Sequence, residues 1–318
     1  MPVLNTAWKD DNYGLVNKVF ASEYGNQLNK LDLFLGSFDT NNSADYSMTH
    51  LGGFGEWGEY NGTTIPKGQQ KRGFTTIITP TEWALGAEIG HLAALLDKLG
   101  EIKKTGTSLA RGGAATVRMH MLRMLGNAYN TNFLGGDGLP WASDSHPIAS
   151  KGSTGRTSIA DTDAGVFSNV MTSAISVAAI SQAEIMAGRY VTPDGLPMTI
   201  NLDTILCSLE DEATVKKLIG GESRLMPTRD PESNTNAANP LKTDYQYIVV
   251  SAGTEGFVKG QWAICDRTLV KESAGVVYTV KPQLMQKELD NPLIDLYVGY
   301  SCFGVGFGDA KPIIFSRS

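Results

Sequence analysis

Charge is scarce in this sequence. Asp, Glu, Lys and Arg make up 19% of its 318 residues, where about a quarter is usual for a soluble chain. So few charges imply that much of the surface is covered, and copies of the same chain are the simplest cover. Basic residues are the minority: 27 Lys and Arg against 33 Asp and Glu give a net charge of -6. A dedicated nucleic-acid binder needs a basic face, so that class is excluded and any contact with DNA would be non-specific. Cysteine is nearly absent. Cys207, Cys265 and Cys302 are odd in number and far apart, which excludes a disulfide framework and reads as small apolar residues in a reducing compartment. There is no run of about 18 apolar residues, hence no transmembrane helix. The start, "MPVLNTAWKDDNYG", lacks the basic-then-apolar order of a secretory signal.

Motifs that carry chemistry are missing too. His50, His91, His120 and His146 form no H-E-x-x-H or H-x-x-x-H pair, and no cysteine pair lies near them, so no metal is expected. "GFGEWG" (53–58) has the spacing of a dinucleotide fingerprint but sits among strand and turn signals, not between a strand and a helix. "DTDAG" (161–165) starts like a calcium loop, yet its glycine comes one place early and Thr172 stands where the twelfth-position acid belongs. No cofactor is expected.

The stretch "GGDGLPWASDSHP" (135–147) gathers Asp137, Ser143, Asp144, Ser145 and His146. Four consecutive residues cannot all face one reacting atom, and no G-x-S-x-G elbow exists. Gly135, Gly136, Gly138, Pro140 and Pro147 describe a tightly shaped loop with a turn at Asp137-Gly138. The loop reads as architecture and the chain as no enzyme. A hydrolase using Asp144 and His146 is the less favoured reading.

What is present is a succession of elements. The first forty-five residues are rich in Asn, Asp, Gly and Ser, as in "GSFDTNNSADYS", and imply an extended arm lying across a partner. Residues 46–79 alternate turn formers with β-branched and aromatic residues, a long hairpin with its tip near Pro66 to Lys71. The tip is basic, with Lys67, Lys71 and Arg72, and the ribbon shows no apolar face of its own. "TPTEWALGAEIGHLAALLDKLG" has a capped start and a stripe of Leu85, Ile89, Leu92, Leu96 and Leu99, which predicts a helix. "SLARGGAATVRMHMLRMLGNAYN" predicts a second, longer helix with a seam of Ala110, Ala114, Val117, Met121, Met124 and Ala128. "DTDAGVFSNVMTSAISVAAISQAEIMAGRY" predicts an alanine-rich, nearly buried helix. Then follow a strand in "PMTINLDTILC", a helix in "SLEDEATVKKLIGG", a polar loop and the strands "YQYIVVSA", "QWAICD", "AGVVYTV" and "IDLYVGYSCFGVGF". The class is α+β.

One segment has a known parallel. A long helix ending "LGNAYNTNF" and running into "DGLPWASDSHP" resembles the corresponding segment of phage Mu-like major head proteins. "GLPMTINLDTILCSLEDEATVKKLIGG" is similar to that family's strand-then-helix segment, and "YQYIVVSAG" with "GQWAICD" to its later strand pair. Cys207-Ser208 stand where the family has a double proline, and Trp141 where phenylalanine is frequent. The resemblance covers residues 105–270 by motif and the rest by order of elements, the order of the Hong Kong 97-like fold of tailed-phage capsid proteins. It implies an N-arm (1–45), an E-loop hairpin (46–79), a P-domain (80–162, spine helix about 105–130), an A-domain (163–268), returning P-domain strands (269–300) and a C-terminal segment rejoining the A-domain (301–318).

The implied role is structural. Hexamers and pentamers of the chain would form an icosahedral head around double-stranded DNA, assembled in the cytoplasm of a bacterial host. The alternative with the same fold is an encapsulin-type nanocompartment shell. Implied partners are further copies, a portal, packaged DNA without sequence preference and a decoration or cement protein, with no membrane. A separate scaffolding protein is also expected, because the sequence starts at Met1 with no scaffolding segment ahead of the arm. Contacts between subunits are expected at Trp57, Lys67, Lys71, Arg72, Asp144 and His146. They are also expected at Arg229 and Asp230, which follow Thr228 in the polar loop "PTRDPESNTNAANP".

Overall fold

A computed structural model describes residues 4–27, 34–41, 43–51, 56–60, 62–63, 65, 67, 72–90, 100–148, 165–192, 196–219, 245–288 and 294–318. Where composition implies an extended arm, the chain opens with a helix, α1 (Leu4–Asn26). The reason is a stripe that composition hides. Tyr13, Val16, Phe20 and Tyr24 recur every three or four residues, one face of a helix. Val16 and Phe20 are buried with Leu109, Ala110, Leu284 and Tyr297. The Tyr13 hydroxyl donates to the Leu284 carbonyl at 2.9 Å, and Arg111 pairs with Glu23 at 2.8 Å. Gly106 permits the close approach, since a Cβ there would stand 2.9 Å from a Val16 methyl and 3.2 Å from its carbonyl oxygen. Burial against its own chain, more than propensity, holds α1.

Strand β1 (Gly36–Asp39) follows. The expected hairpin is then formed by β2 (Tyr46–Leu51) and β3 (Arg72–Ile78), paired antiparallel from Tyr46 opposite Ile78 to Leu51 opposite Arg72. Its root does have an apolar face, contrary to the sequence reading: Met48 and Ile78 are buried against Val277.

The stretch predicted as a first helix is a ten-residue strand over its first half, β4 (Thr81–Gly90). Residues 91–99 lie outside the described ones. Two periods compete in this segment. The leucine stripe is helical, but Trp83, Leu85, Ala87 and Ile89 also alternate with Glu82, Ala84, Gly86 and Glu88. A ladder of backbone hydrogen bonds to a distant strand decides for the second period.

Helix α2 (Glu101–Gly126) is the predicted long helix. Its 26 residues span about 39 Å. After it come two short strands, β5 (His146–Pro147) and β6 (Val166–Phe167), paired with each other, and then β7 (Val170–Met171). The alanine-rich helix is shorter than predicted. It is confined to α3 (Val177–Ala187), which Ser176 caps through the Ala179 amide, and it buries one face, Ala179, Ile180, Ala183 and Ala187. Ile185 on the opposite side is exposed. Next are β8 (Thr204–Cys207), α4 (Glu212–Ile219), β9 (Gln246–Val249), the small hairpin β10 (Ser251–Ala252) and β11 (Glu255–Gly256), and β12 (Gln261–Cys265). The chain ends with α5 (Arg267–Ser273), β13 (Ala274–Glu288), β14 (Ile294–Phe307) and β15 (Ile313–Arg317).

Among the described residues there are two large sheets, the first with the order β1-β13-β14-β4 and the second β7-β15-β12-β8-β9, beside the two-stranded pairs β2-β3, β5-β6 and β10-β11. In the second, β7 runs parallel to β15 and β9 parallel to β8. The terminal strand β15 lies in the sheet of β8 and β12, while residues 301–307 belong to β14 of the other sheet. The expected boundary at residue 300 falls inside β14, and that at 268 inside α5. Helix α2 packs on β14 of the first sheet, and Arg123 near its end pairs with Glu255 of the small β10-β11 hairpin at 3.0 Å. One core spans the junction: Val117, Met121 and Leu125 of α2 meet Leu206, Ala263, Phe303 and Phe315. No described helix is long and apolar enough to cross a membrane.

Cys207 and Cys265 are fully buried in neighbouring strands, and Cys302 is half-buried. Burial pushes the Cys207 thiol up to about 12 and holds that of Cys265 well above the usual thiol range. Since the thiolate is the reactive form, alkylation of the native chain is expected at Cys302 first. Cys207 and Cys265 should react only on unfolding, as peptide mass mapping of a labelling time course will show.

Candidate functional site

The loop between α2 and β5 packs inward. Trp141 is 1% exposed, stacks on Phe307 at 5.0 Å between ring centres and meets Phe315 edge-on at 5.3 Å. This aromatic burial fixes the loop to β14 and β15 at once. Next to it stands His146, also 1% exposed. Its Nδ1 lies 2.5 Å from Asp137 Oδ2 and its Nε2 lies 3.2 Å from the Trp141 carbonyl oxygen. The ring also stacks on Phe167, at 5.2 Å.

That geometry answers the hydrolase reading. The Asp–His half of a triad is present in form, but the partner is Asp137, not Asp144. The far nitrogen faces a carbonyl oxygen where a nucleophile would have to be. Ser143 Oγ instead bonds within the loop, to the Ser145 amide at 3.3 Å. Asp144 is exposed. The bonds of Asp137 and His146 hold the shape of the loop.

Asn169 is the residue that sequence reasoning missed. It has zero exposure. Its side-chain nitrogen donates to the carbonyls of Trp141 (2.8 Å), Ala310 (3.2 Å) and Ile313 (3.3 Å). Its side-chain oxygen accepts from the Ser143 amide at 2.9 Å, and its backbone bonds to Ser143 and Phe315. One amide thus fastens the loop, the turn before β15 and β7 together. Nothing in "VFSNVM" marks it, because its partners are backbone atoms far away in sequence. Lys311 is likewise buried, 3.8 Å from Asp309 Oδ1 and 5.2 Å from the centre of the Phe167 ring.

On the other side of α2, His120 sits between Trp83 (4.5 Å) and Phe303 (5.5 Å). Burial, seconded by the Arg123 guanidinium, holds its pKa below the ordinary histidine value.

The surface expected to meet other subunits is of a different kind. Trp57 is 94% exposed, Tyr60 61% and Ile65 72%, all on the distal hairpin. Lys67 is exposed there as well. Arg72 is the first residue of β3, while Lys71, Arg229 and Asp230 lie outside the described residues. His146, expected among the contacts between subunits, is engaged inside its own chain instead. Two glycines and a β-turn let the loop fold back and carry its histidine inward, which spacing alone does not reveal. Among the described residues no three His, Cys, Asp or Glu side chains gather to hold a metal ion.

No protein-family model matches the chain, and no curated protein matches its sequence. Solved structures do match. The chain aligns with a structure of the procapsid of bacteriophage JBD30 at a TM-score of 0.56, covering 99% of this chain and 76% of that one at 13% identity. It aligns with the capsid of Ralstonia phage GP4 at 0.56 (90% and 87%, 10% identity). It aligns with the capsid of cyanophage P-SCSP1u at 0.53 (90% and 86%, 13% identity).

The chain has the phage capsid fold. At such low identity the matches establish the capsid fold and do not single out the Mu-like family. Within this fold the polar loop follows α2 and packs through Trp141 on β14 and β15.

Two outcomes are expected. Asn169→Leu leaves several buried backbone groups without their partner and should lower the unfolding free energy by about 3 kcal/mol. Asp144→Ala in the same loop should change it by no more than about 0.5 kcal/mol. Denaturant titration of the two variants makes the comparison. For His120, the unfolded chain takes up the ring proton at a higher pH than the folded chain does. Its contribution is therefore whole above a pH of about 6.5 and is lost as pH falls through the lower folded value. Stability of the natural chain should fall more steeply below that pH than stability of His120→Phe, and parallel profiles would refute this.

Proposed function

We propose that this chain is the major shell subunit of a tailed-phage head, assembling as hexamers and pentamers around double-stranded DNA. The observation that carries the proposal is the hairpin of a chain with the capsid fold. It holds on to its own body at Met48 and Ile78, yet it projects Trp57, Tyr60 and Ile65 into solvent. A large apolar side chain gains roughly 2–3 kcal/mol on full burial. Three on a thin ribbon call for a surface that a neighbouring copy can supply. Each such contact is modest. Repeated head to tail it closes rings, and a closed shell multiplies it through effective concentration.

In this reading residues 1–45 are the N-arm, with the correction that α1 packs on its own subunit. Residues 46–79 are the E-loop, 80–162 and 269–300 the P-domain, and 163–268 with 301–318 the A-domain. The basic residues Lys67, Lys71 and Arg72 would face acids of the adjacent copy. Glu82 and Glu88, in the exposed strand β4, are such acids. Asp144 and the loop with Arg229 and Asp230 are further contact candidates. A portal, a separate scaffolding protein and a cement protein would be partners during assembly in the host cytoplasm. DNA would be met without sequence preference, as the acidic balance requires. The role is structural and calls for no catalysis.

Electron microscopy of the expressed chain, with and without a crowding polymer, is expected to show closed shells or ring-shaped capsomers. The triple variant Trp57→Ser, Tyr60→Ser, Ile65→Ser should keep the melting temperature of the isolated subunit within a few degrees and form neither. A natural chain that stays monomeric throughout, or a triple variant that assembles normally, would overturn the proposal. Shells filled with a protein cargo in place of nucleic acid would turn it toward a nanocompartment.

A further inference from the structure

An unbroken series of hydrogen bonds leads from the hairpin to the last strand. It starts at Thr76 in β3, whose hydroxyl oxygen accepts from the Gly136 amide at 2.8 Å. Gly136 also lies against the strand itself: a Cβ there would fall 2.5 Å from the Thr75 carbonyl carbon. Only glycine lets the two backbones come so close. The next residue, Asp137, uses both carboxylate oxygens, one for the Leu139 amide at 3.1 Å and one for His146. The other nitrogen of His146 meets the Trp141 carbonyl. Asn169 donates to that same carbonyl and, with the same nitrogen, to the carbonyls of Ala310 and Ile313 at the entry to β15. Its own carbonyl accepts from Phe315 at 2.8 Å.

We propose that His146 is a positioning residue that sets the angle of the hairpin relative to the five-stranded sheet. It acts through Asp137 and Gly136 on one side and through the Trp141 carbonyl and Asn169 on the other. Three observations support this. First, Trp141, His146 and Asn169 are at most 1% exposed, so their bonds have no water to exchange with and hold a single geometry. Second, among the described residues the charged groups that face the ring, or the Phe167 ring on which it stacks, are Asp137 and Lys311 with Asp309. Asp144 points to solvent. Third, the root of a long ribbon magnifies small changes. β3 alone has seven residues, about 23 Å of strand, and the exposed side chains lie beyond it. A small tilt at Thr76 is a larger displacement at Trp57. The coupling belongs to a single chain and stands whether or not the hairpin docks on a second copy.

Hydrogen–deuterium exchange of the full chain tests it. His146→Gln is expected to speed exchange of the amides of residues 72–78 at least tenfold while those of 204–207 and 261–265 keep their rates. A uniform rise in all three segments would mean general destabilisation and would overturn the proposal, as would no rise at 72–78. If His146→Gln fails to fold, Thr76→Val serves, because the Thr76 hydroxyl does not touch the histidine. It should shift the imidazole nitrogen resonances of His146 and speed exchange at 137–139 at least tenfold, and an unmoved imidazole would refute the coupling. Where both variants fold, their effects on exchange at 72–78 should be less than additive; full additivity would mean two independent supports.

Discussion

Asn169 and the Trp141 carbonyl it holds are the point through which the molecule is joined. The long helix α2 packs on β14 and on the small β10-β11 hairpin and shares one core with residues of β8, β12 and β15, but a helix alone cannot fix the angle between the two large sheets. The loop after α2 does so by burying Trp141 against β14 and β15 together. Burying an indole against a polar loop would strand backbone groups of that loop in the core, where an unmade bond is expensive. The Asn169 amide, whose oxygen accepts from Ser143 and whose two N–H groups are shared among three carbonyls, offsets much of that cost for the backbone. Without it the aromatic packing and the hydrogen bonding of the junction conflict; with it they support one arrangement.

The rest of the architecture is uneven. The contact of α1 on α2 and the root of the hairpin are buried within one chain, whereas Trp57, Tyr60 and Ile65 are exposed. Arg111 with Glu23 and Arg123 with Glu255 tie parts of the chain together, and the exposed segment between β2 and β3 carries charge as well, with Glu59 and Lys67.

Several elements are legible in the sequence. The hairpin, the long helix, the strands at β8, β9, β12 and β14, and the structural character of the loop all follow from periodicity and turn chemistry. Others are not. β4 carries a leucine stripe as well as a strict alternation, and only pairing with β14 chooses between them. In α1 four spaced apolar residues sit in a polar segment, so its composition speaks for disorder although its pattern fits a helix. The stripe matters only because Leu109, Leu284 and Tyr297 are there to cover it. In the loop, glycine and proline placement shows that the segment is tightly shaped, but not that His146 turns inward to Asp137.

By itself the sequence determined where turns must fall and which segments cannot continue a helix. These depend on neighbours along the chain, whose distances are set by covalent geometry. The tertiary structure alone decided the strand at β4, the docking of α1, the inward histidine and the role of Asn169. Each of these is settled by partners tens to hundreds of residues away. The free energy that selects them comes from backbone groups and apolar surface that meet only when the fold has closed.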